Sequence, residues 1–276
     1  MVKSENNIRV HWGAGEIGGP RHEYRESLIL GMLKKDVEQG SLVLDAGCGS
    51  GSLLFKLSGF GCNTFGIEQS KEYVEILRKR TKNLTQSNIR SIKQGSVADI
   101  PFPDKSFDAV VSAEVLEHVK DDTQAILEFY RVLRHGGVCI VSVPASPYLW
   151  DFTDEWAGHL RRYTREDLIN LFEKKGFVVE DVRFWGFPFV RFYHRFIYLP
   201  HVKKKISGAG SSGDVIMPPD AKKYQMMSRM LGMVFRFDSL FNWTPFGIGL
   251  ILKARKPGTI IDLKLPVKLG ALGCTS

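Results

Sequence analysis

Short apolar runs alternate with segments whose apolar residues recur every three or four positions, from about residue 41 to residue 180. This alternation predicts βαβ units and a mainly parallel sheet. Strands are expected at 42–44, which leads into a glycine turn, and at 64–67, which stops at Glu68. Three more follow at 89–92, 107–112 and 138–143, the first of them less apolar than the others. Helices are expected over 73–84, with Val74, Leu77 and Leu84 on one face, and over 122–133, with Ile126, Phe129, Tyr130 and Leu133 on one face. Asp121 or Asp122 is placed to cap the second helix, and Gly136-Gly137 to stop it. Right-handed crossovers put the carboxyl ends of parallel strands on one sheet edge, so the loops after them converge on one crevice.

The flanks extend this pattern. Residues 21–37 read as an amphipathic helix covering the sheet, 165–175 as a helix, 177–185 as a strand and 247–254 as the last strand. The stretch between the final two strands is too long for a plain loop and contains SGAGSSG at 207–213, a flexible joint. The expected organisation is a lid and covering helix at 1–40, a core at 41–185, a basic aromatic insertion at 186–245, a last core strand at 246–256 and a tail at 257–276. The fold class is therefore α/β, with a doubly wound, seven-stranded, mostly parallel sheet and a helical insertion before the last strand.

Composition narrows the function. The chain is 43% hydrophobic and 25% charged, which suits a globular domain. No apolar run reaches the roughly 18 residues of a spanning helix, and the opening MVKSENNIRV lacks the apolar stretch of a signal peptide, so the cytoplasm is the expected compartment. Cys48, Cys62, Cys139 and Cys274 stand singly, without the paired spacing of a zinc or redox motif. The net charge of +8 is local, because ten Lys or Arg face two Asp between Arg183 and Arg236.

The most specific chemical signal is Val43-Leu44-Asp45-Ala46-Gly47-Cys48-Gly49-Ser50-Gly51. Three alternate glycines permit a tight turn and let a ligand lie against bare backbone. Ser52 breaks the dinucleotide spacing and no Walker lysine follows, which counts against nicotinamide and nucleotide cofactors. Asp45 would sit poorly beside a pyrophosphate but suits a ligand carrying an ammonium and a sulfonium. Glu68, at the end of the next strand, is placed to accept both hydroxyls of a ribose; standing alone it would be an ordinary solvated charge.

At these residues a resemblance emerges. VLDAGCGSG, GIEQS, GSVADIPFPDKSFDAVVSAEVLEHV and VLRHGGVCIVSVP resemble the successive motifs of class I S-adenosylmethionine-dependent methyltransferases, in particular the methyltransferase type 11, ubiquinone-biosynthesis-like group with its Rossmann-like fold. The resemblance covers about residues 40 to 180. It implies S-adenosyl-L-methionine as cofactor, with Asp45, Gly47 and Gly49 along its methionine part, Cys48 and Gly51 in the same cofactor-binding turn, Glu68 on the ribose and Gln69 near the adenine. Where that family commonly has an acid after the glycine of the third motif, this chain has Ser96, so adenine recognition is expected from Ser96 and the backbone at Val97 and Ala98, or from Asp99. Glu114 and His118 fall where the family places residues over the methionine and the transferring methyl. Glu114, Glu117 and His118 also resemble the spacing of ubiquinone-pathway O-methyltransferases that use a divalent metal; capping or packing of the next helix is the preferred account, and no metal is assigned.

The acceptor side is expected beyond the fifth strand, where residues 150–163 are dense in polar and aromatic side chains. His159 is the candidate general base, with Asp154 orienting it and Tyr163 as a second donor. Arg161 or Arg162 could clamp an anionic acceptor or simply tie loops together. Trp12, His22 and Tyr24 could line a lid, or staple the first helix. In the insertion, 184–199 (FWGFPFVRFYHRFIYL) precedes three lysines, which suits a cap over a greasy pocket, a bilayer surface or a single-stranded RNA. The reading taken forward is methylation of a small or lipid-like acceptor, at oxygen, with peripheral membrane contact through 184–205. The alternatives are a catalytically silent cofactor-fold module, an RNA methyltransferase and a nicotinamide-dependent oxidoreductase.

Overall fold

The computed structural model describes residues 19–82, 87–200, 202–203 and 221–258. Its seven strands are β1 (Leu42–Ala46), β2 (Asn63–Glu68), β3 (Ile89–Gln94), β4 (Phe107–Ala113), β5 (Leu133–Pro144), β6 (Val178–Trp185) and β7 (Gly249–Arg255), in the order β3-β2-β1-β4-β5-β7-β6. The first five run parallel, and β7 is antiparallel to both β5 and β6. The doubly wound, mostly parallel sheet expected from the alternation of runs is thus present, and the insertion enters between β6 and β7.

Successive residues of a strand face opposite sides of the sheet, so each strand feeds two cores. Leu44, Val110, Cys139 and Val141 pack with Ile126, Phe129 and Val132 of α4 (Asp122–Val132) and with Leu168 and Phe172 of α6 (Arg165–Glu173). On the other face Val43, Ala109, Val111 and Ile140 meet Ile29 and Leu33 of α1 (Pro20–Leu33) and Leu53 and Leu57 of α2 (Ser52–Gly59). Each such fully buried aliphatic side chain contributes about 1.5–3 kcal/mol. Helix α3 (Lys71–Lys82) covers the β2–β3 side with Val74 and Leu77 buried.

Several boundaries differ from the periodic reading. Helix α2 starts directly after the glycine turn with Gly51 as its N-cap, so no capping side chain announces it. Helix α4 ends at Val132 rather than at the glycines; Leu133 already belongs to β5, and Gly136 takes a φ of 78° with its N–H on the Lys256 carbonyl. The charged Arg134-His135 pair disguises that strand start. Residues 150–163, expected as a loop, contain α5 (Phe152–Ala157), a six-residue helix. The insertion forms α7 (Phe189–Tyr193), continued as a π turn over His194–Tyr198, then α8 (Ala221–Phe235) and a 3-10 turn over Arg236–Phe241. The 207–213 joint, Leu84, Trp12, Cys274 and the tail beyond residue 258 lie outside the described residues.

Candidate active site

The chain leaves β1 through Gly47, Gly49 and Gly51, all with positive φ (82°, 52° and 89°). The three glycines are needed for different reasons. A Cβ on Gly47 would stand 2.4 Å from Cγ2 of Val115, and one on Gly51 would stand 2.3 Å from Cδ2 of Leu77, whereas one on Gly49 would meet nothing within 4 Å. Two glycines are therefore dictated by packing, and the middle one by its left-handed backbone and the open crevice it faces. Gly47 and Cys48 both donate their N–H groups to the Ile67 carbonyl, at 2.9 and 3.0 Å, fastening the turn to β2. Cys48 contributes backbone only: its thiol is buried, and burial together with the Asp45 and Glu68 charges pushes it well above the usual thiol range.

Glu68 ends β2 as expected and is held by two donors, Gly49 N–H at 2.9 Å and Ser70 N–H at 2.8 Å. Each of its oxygens keeps a lone pair for a further donor. Asp45 is 2% exposed, and its Oδ2 has no partner. Burial, then the charges of Glu26 and Glu68, push its carboxyl well above the usual range. A buried carboxylate without a partner is costly, and an arriving cation removes the cost. The donor set therefore fits a ligand with an ammonium group at Asp45 and a diol at Glu68.

Helix α1 supplies residues that the sequence reading did not single out. Glu26 is buried over the turn and accepts from Ser52 Oγ at 2.9 Å, Lys56 Nζ at 2.6 Å and His22 Nε2 at 2.8 Å. Burial raises its carboxyl, but the hydrogen bonds and charges of His22 and Lys56 outweigh that and hold it at about 2. Arg25 reaches Glu114 at 3.6 Å. A helix read as amphipathic cover thus buries two charges against the crevice, and only the His22-Glu26 spacing on one helix face hinted at it. Tyr24 packs edge-on against Trp185 and Phe235, which is the staple role.

After β3 the Ser96 hydroxyl accepts from Ala98 N–H at 3.1 Å, and Asp99 N–H donates to the Ser96 carbonyl at 3.1 Å. Val97 is buried and Asp99 exposed beside it, while Gln69 is exposed after β2 with its carbonyl bonded to Gln94. Beyond β4, Glu114 adopts φ 57°, a conformation disfavoured for a residue with a side chain and typical of strained functional turns. Its carboxylate accepts from Ser142 Oγ at 2.8 Å. Burial raises it, and Arg25, ahead of Ser142, brings it below the ordinary value.

Next comes a compact cluster. Asp151 caps α5, Gly158 closes it at φ 78°, and the six-residue helix brings Asp154 Oδ1 to 2.7 Å from His159 Nδ1. Asp154 also accepts from Asp151 N–H at 2.8 Å and from Arg162 Nε and Nη2 at 2.9 and 2.7 Å. With Nδ1 donating to this saturated carboxylate, the His159 lone pair is on Nε2. That atom stands 4.0 Å from Glu117 Oε1, and the His159 ring meets His118 edge-on at 4.8 Å. Glu117 is fully buried with both oxygens unpartnered, and burial followed by the Glu114 charge raises its carboxyl well above the usual range. Burial, then His159, lowers His118. Ligand atoms of Glu117, His118 and His159 lie within 4.8 Å of one another, close enough for one cation.

Three expected residues point elsewhere. The Tyr163 hydroxyl is buried and donates to Asp122 at 2.9 Å, with the Leu116 carbonyl at 3.2 Å as its other acceptor within reach, tying α4 to the loop rather than facing a methyl acceptor. Arg161 pairs with Asp122 at 2.6 Å, and Arg162 is occupied by Asp154 and the Ala145 carbonyl. Both arginines hold loops in place.

A family model described as a methyltransferase domain matches residues 44–141, from β1 into β5. These residues are a class I S-adenosylmethionine-dependent methyltransferase domain. The chain is similar to a Mycolicibacterium smegmatis protein named "Probable S-adenosylmethionine-dependent methyltransferase", 34% identical over 144 residues, 51% of this chain and 54% of that one. It is also similar to O-methyltransferase cnsE of Penicillium expansum, 31% identical over 152 residues, 52% of this chain and 54% of that one. The chain thus spans about half the length of these curated relatives. The fold is that of the YcgJ protein of Bacillus subtilis, at a TM-score of 0.56 and 19% identity, covering 86% of this chain and 99% of that structure.

Proposed function

We propose that this methyltransferase transfers a methyl group to a hydroxyl oxygen of a small, largely apolar or lipid-like acceptor, and that His159 takes the hydroxyl proton. The observation that carries the reading is the Asp154–His159 pair at 2.7 Å, set beside the strained Glu114 at the rim of the crevice. Asp45, the bare turn at Gly47 to Gly51 and Glu68 are the residues that would hold S-adenosylmethionine, with Gln69, Ser96, Val97, Glu114 and His118 around it. Bound there, the cofactor supplies a methyl on a sulfonium, an excellent leaving group. Little is then asked of the protein beyond alignment, exclusion of water and one base. Asp154 fixes the tautomer of His159 and stabilises the imidazolium it becomes. Glu26 and Arg25 close α1 over the turn. The insertion caps the acceptor side: His194 of the π turn bonds Asp151, the cap of the helix that carries Asp154, at 3.3 Å, and Arg21 of α1 at 2.9 Å. The name of the Penicillium relative supports oxygen as the target atom.

Among the described residues no helix is long and apolar enough to cross a membrane, and we place the enzyme in the cytoplasm. The test is transfer of labelled methyl into a metabolite or lipid extract. His159→Gln is expected to lower kcat about 10²–10⁴-fold, with calorimetric affinity for S-adenosylhomocysteine unchanged. Unaltered turnover refutes the base. Loss of wild-type activity on chelation, restored by a divalent cation, instead makes Glu117, His118 and His159 a metal site and takes His159 out of that role.

A further inference from the structure

The helices of the insertion are apolar on two sides. Their inner side is accounted for: Val190 and Phe235 are buried, Tyr193 meets Phe235 at 5.6 Å, and Asp238 takes the Phe189 and Val190 N–H groups to join the 3-10 turn to α7. The outer side is not. Phe189, Phe192 and Phe196 form an exposed stripe along α7 and its π turn, with the Phe192 and Phe196 rings 4.7 Å apart. Met226, Met230 and Met233 form a second stripe along α8, which packs beside α7, and Phe237, Leu240 and Trp243 extend it, Trp243 at 83% exposure. Exposed large apolar side chains in this number on two touching helices of a globular domain mark a contact site.

Charge selects the occupant. Arg195 and Arg236 are exposed in these stretches, Asp238 is buried, and the sequence of 186–245 carries nine Lys or Arg against three Asp. Two copies meeting here would set one cationic surface against another. The methionine and leucine side chains offer nothing to a nucleic acid, whose bases stack on rings. Aromatic and thioether side chains in a segment with this excess of cations match the headgroup depth of an anionic bilayer. We propose that the outer face formed by residues 189–200 and 226–246 seats this enzyme on anionic lipid surfaces. The contact extends well past 205, and its deepest element is the 3-10 turn with Trp243. The proposal deepens the lipid-like acceptor reading by placing the cap at the phase that holds such acceptors, and it is tested without methyl donor so that the two can fail separately.

The full chain is sedimented with vesicles of phosphatidylcholine alone and of phosphatidylcholine mixed with phosphatidylglycerol. Binding is expected to the mixed vesicles and to weaken as salt rises. Phe196→Ser with Trp243→Ser, and separately Arg195→Glu with Arg236→Glu, are each expected to cut the partition coefficient at least about tenfold, with circular dichroism and S-adenosylhomocysteine affinity unchanged. Absence of wild-type binding to mixed vesicles overturns the proposal. So does binding that neither double variant alters, self-association lost in the aromatic variant without vesicle binding, or retention of labelled single-stranded RNA in place of vesicles. Failed methyl transfer with intact vesicle binding leaves the surface standing and removes the acceptor reading alone.

Discussion

Asp45→Asn should move stability and cofactor affinity in opposite directions. In the free protein the Asp45 carboxylate is buried with Oδ2 unpartnered and two other carboxylates, Glu26 and Glu68, acting on it. Its raised value in the fold means that its contribution is favourable below the ordinary carboxylate value and is lost as pH rises through the shifted one, so near neutral pH it penalises folding. Asparagine keeps the shape and removes the charge. Relief of one unpaired buried charge should therefore stabilise the ligand-free protein by about 1–3 kcal/mol, and the fall in stability over that pH window should shrink. The same substitution removes the counter-charge for the ligand's ammonium. A hydrogen bond to a charged group contributes roughly 1.5–3 kcal/mol, so affinity for S-adenosylmethionine should fall about 10–100-fold. Urea unfolding of both proteins without ligand, at several pH values, measures the first effect, and calorimetric titration the second. A variant that is destabilised in the free state and binds the donor normally would refute the reasoning, because Asp45 would then serve packing alone.

Other substitutions separate the site's parts. Gly47→Ala must push aside Val115 at 2.4 Å and strain a φ of 82°, so it is expected to destabilise by about 1–3 kcal/mol. Gly49→Ala has open space around it and should cost only about 1 kcal/mol, yet weaken donor binding by filling the cradle; equal effects at both positions would contradict the assignment of the open side. Asp154→Ala strands the buried Arg162 guanidinium and should cost about 3–5 kcal/mol in urea unfolding. Burial raises the Asp154 carboxyl, but His159 and Arg162 outweigh it and hold it below the ordinary value. Its contribution is thus present above the unfolded value and lost as pH falls through the folded one, and the variant should show a shallower acid limb of stability.

The parts of the fold legible in the sequence were those governed by local rules. Parallel strands buried on both faces read as apolar runs, and β1, β4 and the apolar part of β5 announced themselves in that way. The glycine turn and Glu68 were legible because backbone conformation and a strand end fix them one at a time. Helix α5 was not, since six residues hold too few apolar positions to show a period and only its Asp151 cap marks it. Arg25 and Glu26 were hidden because a charge on a helix defaults to the solvent side, and only the tertiary pairing with Lys56, His22 and Glu114 brings them inside. The Asp154–His159 pair lies five positions apart and was anticipated. Arg21 and His194, 173 positions apart, were beyond any local pattern. Tyr163 illustrates the reverse error: a side chain able to donate a proton was read as chemistry when its partners are a carbonyl and Asp122.

The placement of β7 has a consequence for how the molecule is assembled. Among the described residues edge strand β6 pairs with the sheet only through β7, so it has no seat until the chain has been made through residue 255. During synthesis the first five strands can zip together as they emerge, while everything from β6 through the insertion waits for its keystone. A chain that stops anywhere between 186 and 248 thus loses the pairing of two strands rather than one and leaves the edge of β5 bare.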